Sequence, residues 1–446
     1  MSLRSIIWLP LLFLAWVGTV AATAPETSPL PETPAVPTTT TPAETATPAA
    51  TPAPSAPAIQ PVPPAVPETT TAPATADPLV ERLVGQGLEN VVVQRDGSLV
   101  RVSFENRRYR WNMTGLGVAL AAAAKDAPAG AELVVTSKIW GVPQLEARVK
   151  AEDYQHFLDG TLSDKEFARR FSVGYGRGGA PAAGKNRSFG RTDLSVGLGY
   201  RASFTTEDPN EGVHPRFIPG LDGALCPGIG FSAQQSIPLD GTESTKLLLG
   251  RVGGVLHPTG SVFLALSGGR LAEDLDAVQA EAGWFTPSGR TSLRLAIAVG
   301  HDAFFAQNSQ SSLLSLTQWI GKRDIALGVV GGRFWEGDQG AELFIQSGFR
   351  ERRFIIGGGR SGGVTRTRFQ IVLPFGPRVG PEPSTLRFKF RDTFTARYRA
   401  PKGLITEARV GGVVPASLLE ERTMLFSPTI VRSYLKELRR SADLLQ

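Results

Sequence analysis

Residues 386 to 399 alternate between two kinds of side chain. Leu386, Phe388, Phe390, Asp392, Phe394, Ala396 and Tyr398 take one set of positions; Arg387, Lys389, Arg391, Thr393, Thr395, Arg397 and Arg399 take the other. Successive side chains of a strand point to opposite faces, so the segment reads as a strand with one greasy face and one cationic face. The same period of two recurs upstream, at 193–204, 292–299, 324–329 and 365–371, with further candidate strands at 245–256, 260–268, 277–286, 341–350 and 352–360. From 171 to 400 glycine is dense and helical periodicity is absent. With a spanning strand of ~9–11 residues plus a turn, that length holds on the order of twelve strands. A soluble sandwich or jelly roll also alternates. Strand length and aromatic residues near strand ends (Tyr200, Trp284, Trp319, Phe375, Tyr398) favour a transmembrane antiparallel β-barrel.

Residues 77–170 carry a different texture. The runs 89–94 and 99–105 flank Arg95-Asp96-Gly97-Ser98, a hairpin signal. An apolar helix is predicted over 116–125, with Pro128 and Gly130 just beyond it. A second hairpin is predicted across 133–149, followed by short helices at 152–158 and 163–170, where Ser163 and Glu166 fit a capping box. This order suits a small periplasmic α+β domain.

The remaining segments bear on location. Residues 1–24 read as a signal peptide: Arg4, the apolar run 6–20, then Ala22-Thr23-Ala24. Residues 25–76 are Pro, Ala and Thr-rich, too poor in apolar residues for a core, and predict a disordered linker. The extension 401–446 ends in an amphipathic helix with Val431, Tyr434, Leu435 and Leu438 opposite Arg432, Lys436, Arg439 and Arg440. A solvated cap, a docking helix for a partner and a lumen plug are all open for it. No segment after the signal peptide is apolar enough for a spanning helix. A membrane-integral form must therefore use strands, in the outer membrane of a Gram-negative cell.

Charge and chemistry narrow the function classes. The net charge of +6 is not arranged as a nucleic-acid-binding module. The single cysteine, Cys226, precludes an intramolecular disulfide, and the four histidines have no metal-ligand spacing. There is no G-x-S-x-G, Walker loop or H-E-x-x-H. His301-Asp302 reads as a barrel rim rather than a dyad, so no catalytic residue, cofactor or metal site is assigned. What remains is a cationic lumen: Arg294, Arg366, Arg368, Arg387, Lys389, Arg391, Arg397 and Arg399 are the candidate contacts for an anion or an anionic polysaccharide. Glu281, Asp324 and Glu342 are available to balance them.

The α+β region also carries Gly87-Leu88-Glu89-Asn90-Val91, Glu105-Asn106-Arg107-Arg108-Tyr109-Arg110-Trp111, Leu116-Gly117-Val118-Ala119-Leu120, Gly141-Val142-Pro143 and Phe157-Leu158-Asp159-Gly160. Through these, and through 427–435 at the tail, the chain resembles the YjbH/GfcD-like outer-membrane proteins of exopolysaccharide and group 4 capsule loci. The resemblance implies a non-enzymatic outer-membrane barrel in polysaccharide assembly or export. It implies outer-membrane lipid, anionic exopolysaccharide and other export proteins as partners, with no catalytic residues to carry over. A general anion-preferring porin and a barrel-based polysaccharide-modifying hydrolase are the alternatives.

Overall fold

The computed structural model describes residues 77–176, 186–203, 212–241, 244–272, 274–303, 307–320, 325–335, 337–349, 351–402, 417–420 and 427–445. Residues 1–76, where a signal peptide and a Pro-rich linker are expected, lie outside these residues. The rest forms one compact unit, mainly β, with two sheets of five and fourteen strands.

The smaller sheet has the order β1 (Leu88–Asp96), β2 (Leu99–Asn106), β3 (Glu132–Ile139), β4 (Val142–Lys150), β5 (Ser172–Tyr175). β2 and β3 are parallel, joined by the crossover helix α2 (Asn112–Asp126); α1 (Pro78–Gly85) precedes β1. Helix α2 is apolar on every side and buried on every side, because the sheet covers one flank and other helices the rest. Those helices are α1, α3 (Ala151–Leu158) and, from the far end of the chain, α6 (Leu435–Ala442); α4 (Asp164–Arg170) packs against α3 and α6, and α5 (Pro428–Ser433) against β5. Val431, Leu435 and Leu438 join the core of the α+β unit. Gly117 makes this possible: a Cβ there would stand 2.6 Å from the Cβ of Ser441 and 2.9 Å from the carbonyl of Leu438. The C-terminal helix is therefore the outer layer of the α+β domain. A break at Tyr434 divides the single helix expected over 428–445. The expected capping box at Ser163 and Glu166 is present.

The large sheet begins with β6 (Thr192–Ser203), β7 (Gly212–Cys226), β8 (Ile229–Pro238), β9 (Lys246–Thr259), β10 (Val262–Ala272) and β11 (Leu275–Phe285). It continues through β12 (Thr291–Asp302), β13 (Gln307–Ile320), β14 (Ile325–Arg333), β15 (Gln339–Phe349), β16 (Arg352–Ser361) and β17 (Val364–Pro374). These twelve pair with their sequence neighbours in an antiparallel meander. The segment 386–402 then bends at Arg391-Asp392 into β18 (Leu386–Phe390) and β19 (Thr393–Lys402), rather than running as one strand. β19 pairs antiparallel with β17, whereas β18 pairs with β6, at the other edge of the row, and does so in parallel. The parallel seam departs from an all-antiparallel expectation, and its cause is parity. Twelve alternating strands leave β17 antiparallel to β6, so a thirteenth strand antiparallel to β17 runs parallel to β6. The hydrogen-bonded ladder of the described residues is an open row with β18 and β19 at its ends.

The two faces of this sheet are chemically inverted relative to a soluble protein. On β11, Val278 and Trp284 are exposed while Gln279 and Glu281 between them are buried. On β12, Leu293, Leu295, Ile297 and Val299 are exposed and Ser292 is buried. Leu264, Leu266, Leu327, Leu343, Ile345, Ile356 and Phe369 extend the apolar face around the row. At the seam Phe388 is 67 % exposed and Arg387 is 2 % exposed, as the alternation of 386–390 predicts. No helix of the described residues is long and apolar enough to cross a membrane, which says nothing of strands.

Candidate functional site: the polar face of the large sheet

The α+β unit sits over one end of the polar face, and the contact is built from the motif residues of 87–111. Glu105, at the end of β2, is fully buried. Its carboxylate accepts hydrogen bonds from the backbone N–H of Trp140 (2.9 Å) and Gly141 (3.1 Å), from Asn90 Nδ2 (2.6 Å) and from the Ser188 hydroxyl (3.0 Å). Asn90 and Trp140 both adopt positive φ, 48° and 52°, to present these groups. The β3–β4 hairpin is thereby held with its tip against the sheet. The Trp140 carbonyl accepts from the Gly228 N–H at 2.7 Å, and a Cβ at Gly230 would overlap the Trp140 ring at 2.4 Å. Trp140 packs with Phe263, Phe285, Leu418 and Leu419 in a small apolar cluster.

Around this hub runs an ionic strap. Glu89 pairs with Arg107 (3.1 Å) and with Arg191; Asp193 on β6 pairs with Arg107 and is held in a fork by Arg387 of β18, whose Nε lies at 3.0 Å. Arg110 forms a second fork on Glu351, between β15 and β16, at 2.5 and 2.9 Å. Loop, first strand and seam are thus tied at one buried point.

The tail contributes a further contact. Glu281, on the polar face of β11, accepts from the Ser417 hydroxyl and from the backbone N–H groups of Leu418 (2.8 Å) and Leu419 (3.3 Å), while Arg294 lies 3.3 Å away. The chain leaves β19 beside the start of β17, at the end of the sheet remote from the α+β unit, yet Ser417 is on the polar face at Glu281. At that remote end Phe334 and Trp335, between β14 and β15, also turn onto the polar face; Trp335 packs on Leu271, Leu275 and Ala298. Between the two ends lies a cavity of about 1400 Å³. Among the described residues its wall carries eleven Lys or Arg against six Asp or Glu, a net cationic lining.

Five of the eight predicted contacts line this cavity: Arg294, Arg368, Arg387, Lys389 and Arg391. None of the five is a bare charge. Arg294 pairs with Glu281, Arg368 with Glu342 (3.0 Å), Arg387 with Asp193, and Lys389 with Asp392 (2.9 Å). Two of the expected balancing acids, Glu281 and Glu342, serve that role; Asp324 lies outside the described residues. The backbone register sets Arg399 across from Arg368, Arg397 across from Gln370 and Arg366 across from Pro401, so these positions share the polar face; the side chains of Arg366, Arg397 and Arg399 lie outside the described residues. His301 and Asp302 are consecutive on β12 and face opposite sides, which leaves no dyad. Sequence reasoning assigned no cavity role to Arg107, Arg110, Lys138 or Arg353. The dense charge of 105–111 was the one visible signal for Arg107 and Arg110, and Lys138 and Arg353 had none.

Lys138, 3 % exposed on β3, lines the same cavity, and burial pushes its ammonium down to about 8, opposed by the nearby Glu105 carboxylate. Burial raises Glu105 above its usual range. Between pH 8 and 10.5 the unfolded chain holds the Lys138 proton and the folded chain has released it, so stability rises with pH across that window. The full increment is on the order of 3 kcal/mol. Denaturant titration at pH 7.5 and 10 should show this rise in the wild type and a flat profile in Lys138→Met.

Glu281→Ala should release the tail, since it strips the cap from Ser417 and Leu418 and leaves Arg294 without its buried partner. Hydrogen exchange is the readout. Amides 418–420 should lose protection by tenfold or more while those of β10 and β11 keep theirs.

No protein-family model matches this chain, and no characterised protein matches it in sequence. The fold and its polar face define a mainly β protein: a large meander with a charged cavity on one side and an exposed apolar surface on the other.

Proposed function

We propose that this chain is an outer-membrane β-barrel that takes part in assembly or export of an anionic exopolysaccharide, without catalysing a reaction itself. The observation that carries the reading is the exposed apolar band repeated on strand after strand, with polar side chains buried behind it. Such inversion is unfavourable in water and stable in lipid. The ends of the row support it too. The strands β6 and β17 both pair with the single segment 386–402, so one bent segment lines both ends of the open row, an arrangement suited to a sheet that closes in lipid. The net cationic cavity wall suits a polymer bearing carboxylates. The α+β unit, the tail at Glu281 and Trp335 fill much of the polar face, which fits a conduit closed at rest better than a permanently open porin.

Two measurements test this. The purified protein should need detergent to stay dispersed and should insert into planar bilayers. Wild-type channels should be nearly silent, and Glu281→Ala should raise open probability several-fold, with block by added polygalacturonate. A protein that is monomeric in detergent-free buffer removes the membrane reading; channels indifferent to the polymer remove the polysaccharide reading.

A further inference from the structure

The tail places a carboxylate where a ligand's carboxylate would stand. Glu420 reaches Arg294 on β12 at 3.7 Å and Arg353 on β16 at 4.0 Å. Three strands separate β12 from β16 in the ladder, so both arginines reach one carboxylate only because the sheet curves around it. All three residues line the cavity of about 1400 Å³. From these contacts we infer that Arg294 and Arg353 form a carboxylate subsite for a uronic-acid-type sugar of a polymer, occupied at rest by Glu420. This rests on the reading of the sheet as a barrel that handles anionic polysaccharide.

Two acids meet Arg294, and they differ in kind. Glu281 is buried to 1 % side-chain exposure, stands at 3.3 Å, and is fixed by the backbone it caps. It orients the guanidinium. Glu420 is 43 % exposed and stands beyond hydrogen-bond distance of both arginines. A half-exposed acid at such distances from two cations is an exchangeable occupant of the site they form. A carboxylate that approaches more closely gains direct, charge-assisted hydrogen bonds to Arg294 and Arg353 that Glu420 does not make with them. Neighbouring groups suit a sugar ring. Phe344 and Trp319 line the same cavity, with the Arg368 guanidinium 5.8 Å from the Phe344 ring centre. Aromatic faces stack on the apolar faces of sugars while arginines take their acids, and neutral sugars would gain only the first contact.

An internal occupant lowers apparent affinity by the fraction of time it fills the site. Calorimetry on the full-length protein in detergent, with hexagalacturonate, maltohexaose and monomeric glucuronate as probes, tests the assignment. Glu420→Gln should tighten hexagalacturonate binding by about tenfold and leave maltohexaose unchanged. Arg353→Gln in that background should erase the gain. Arg353→Lys, which keeps the charge without the fork, should retain part of it and serves if the glutamine variant does not fold. Hexagalacturonate binding unaltered by Glu420→Gln, or equal gains for the neutral and acidic hexamers, overturns the subsite. Monomer binding as tight as the hexamer overturns the polymer as its source. The barrel reading fails separately: bilayer insertion without acid discrimination sinks only the subsite, while acid discrimination by a protein monomeric in water sinks only the barrel.

Discussion

Ile297→Arg should be among the most damaging single substitutions in the large sheet. Ile297 lies midway along β12 and is 48 % exposed on the apolar face. For a soluble sheet, exchanging a half-exposed isoleucine for arginine changes stability by about 0.5 kcal/mol or less. For a strand facing hydrocarbon at its midpoint, the guanidinium must be desolvated or drawn toward the headgroups, which costs about 2–4 kcal/mol. Urea titration of the protein in lipid vesicles measures the difference. The same substitution at Thr291, at the end of β12, should cost far less, because the penalty falls with depth. Equal, small effects at both positions would mean that the apolar band faces something other than lipid.

Asp193→Ala should produce the second large effect, for an unrelated reason. Its carboxylate is the shared partner of Arg107 in the α+β loop and Arg387 at the seam, and Arg387 is almost wholly buried. Removing one member of such a group leaves uncompensated buried charge, a loss of about 3–5 kcal/mol. The strap joins two parts of the molecule, so the loss should show as separation of two unfolding transitions that coincide in the wild type. The double variant Asp193→Leu with Arg387→Met removes both charges and should recover most of the stability. If the double variant is as unstable as Asp193→Ala, the strap is not an electrostatic pair and the site holds by shape alone.

Much of the large sheet was legible because its signal is local. The alternation of 386–390 placed Phe388 outward and Arg387 inward, and the structure agrees. Three strands of the large sheet and one of the small sheet escaped that reading. β7 contains Pro215 and Pro219, which argue against a central strand. Pro219 is tolerated because pairing with β8 is interrupted between Phe217 and Gly220, and Pro215 because it lies before the first β8 pair, at Arg216. β8 and the first half of β13 are polar on both faces, with Gln234-Gln235-Ser236 and Gln307-Asn308-Ser309-Gln310, and carry no period-two contrast. β5 was read with the region after 171, yet pairs with β4, where Phe171, Val173 and Tyr175 turn inward.

The primary structure alone determined which residues alternate, where the texture shifts from helical to extended, and that cations gather on one face of the last strand. Those are properties of neighbours in the chain, set by backbone periodicity. Only the tertiary structure decided that Glu105 would be caged by Asn90, Trp140, Gly141 and Ser188, that Glu281 would hold the tail, and that Arg294 and Arg353 would meet at Glu420. It likewise set the parallel seam and seated the last helix in the α+β core. Each joins groups tens to hundreds of residues apart. Their proximity follows from the strand count and the curvature of the sheet, which no local pattern encodes.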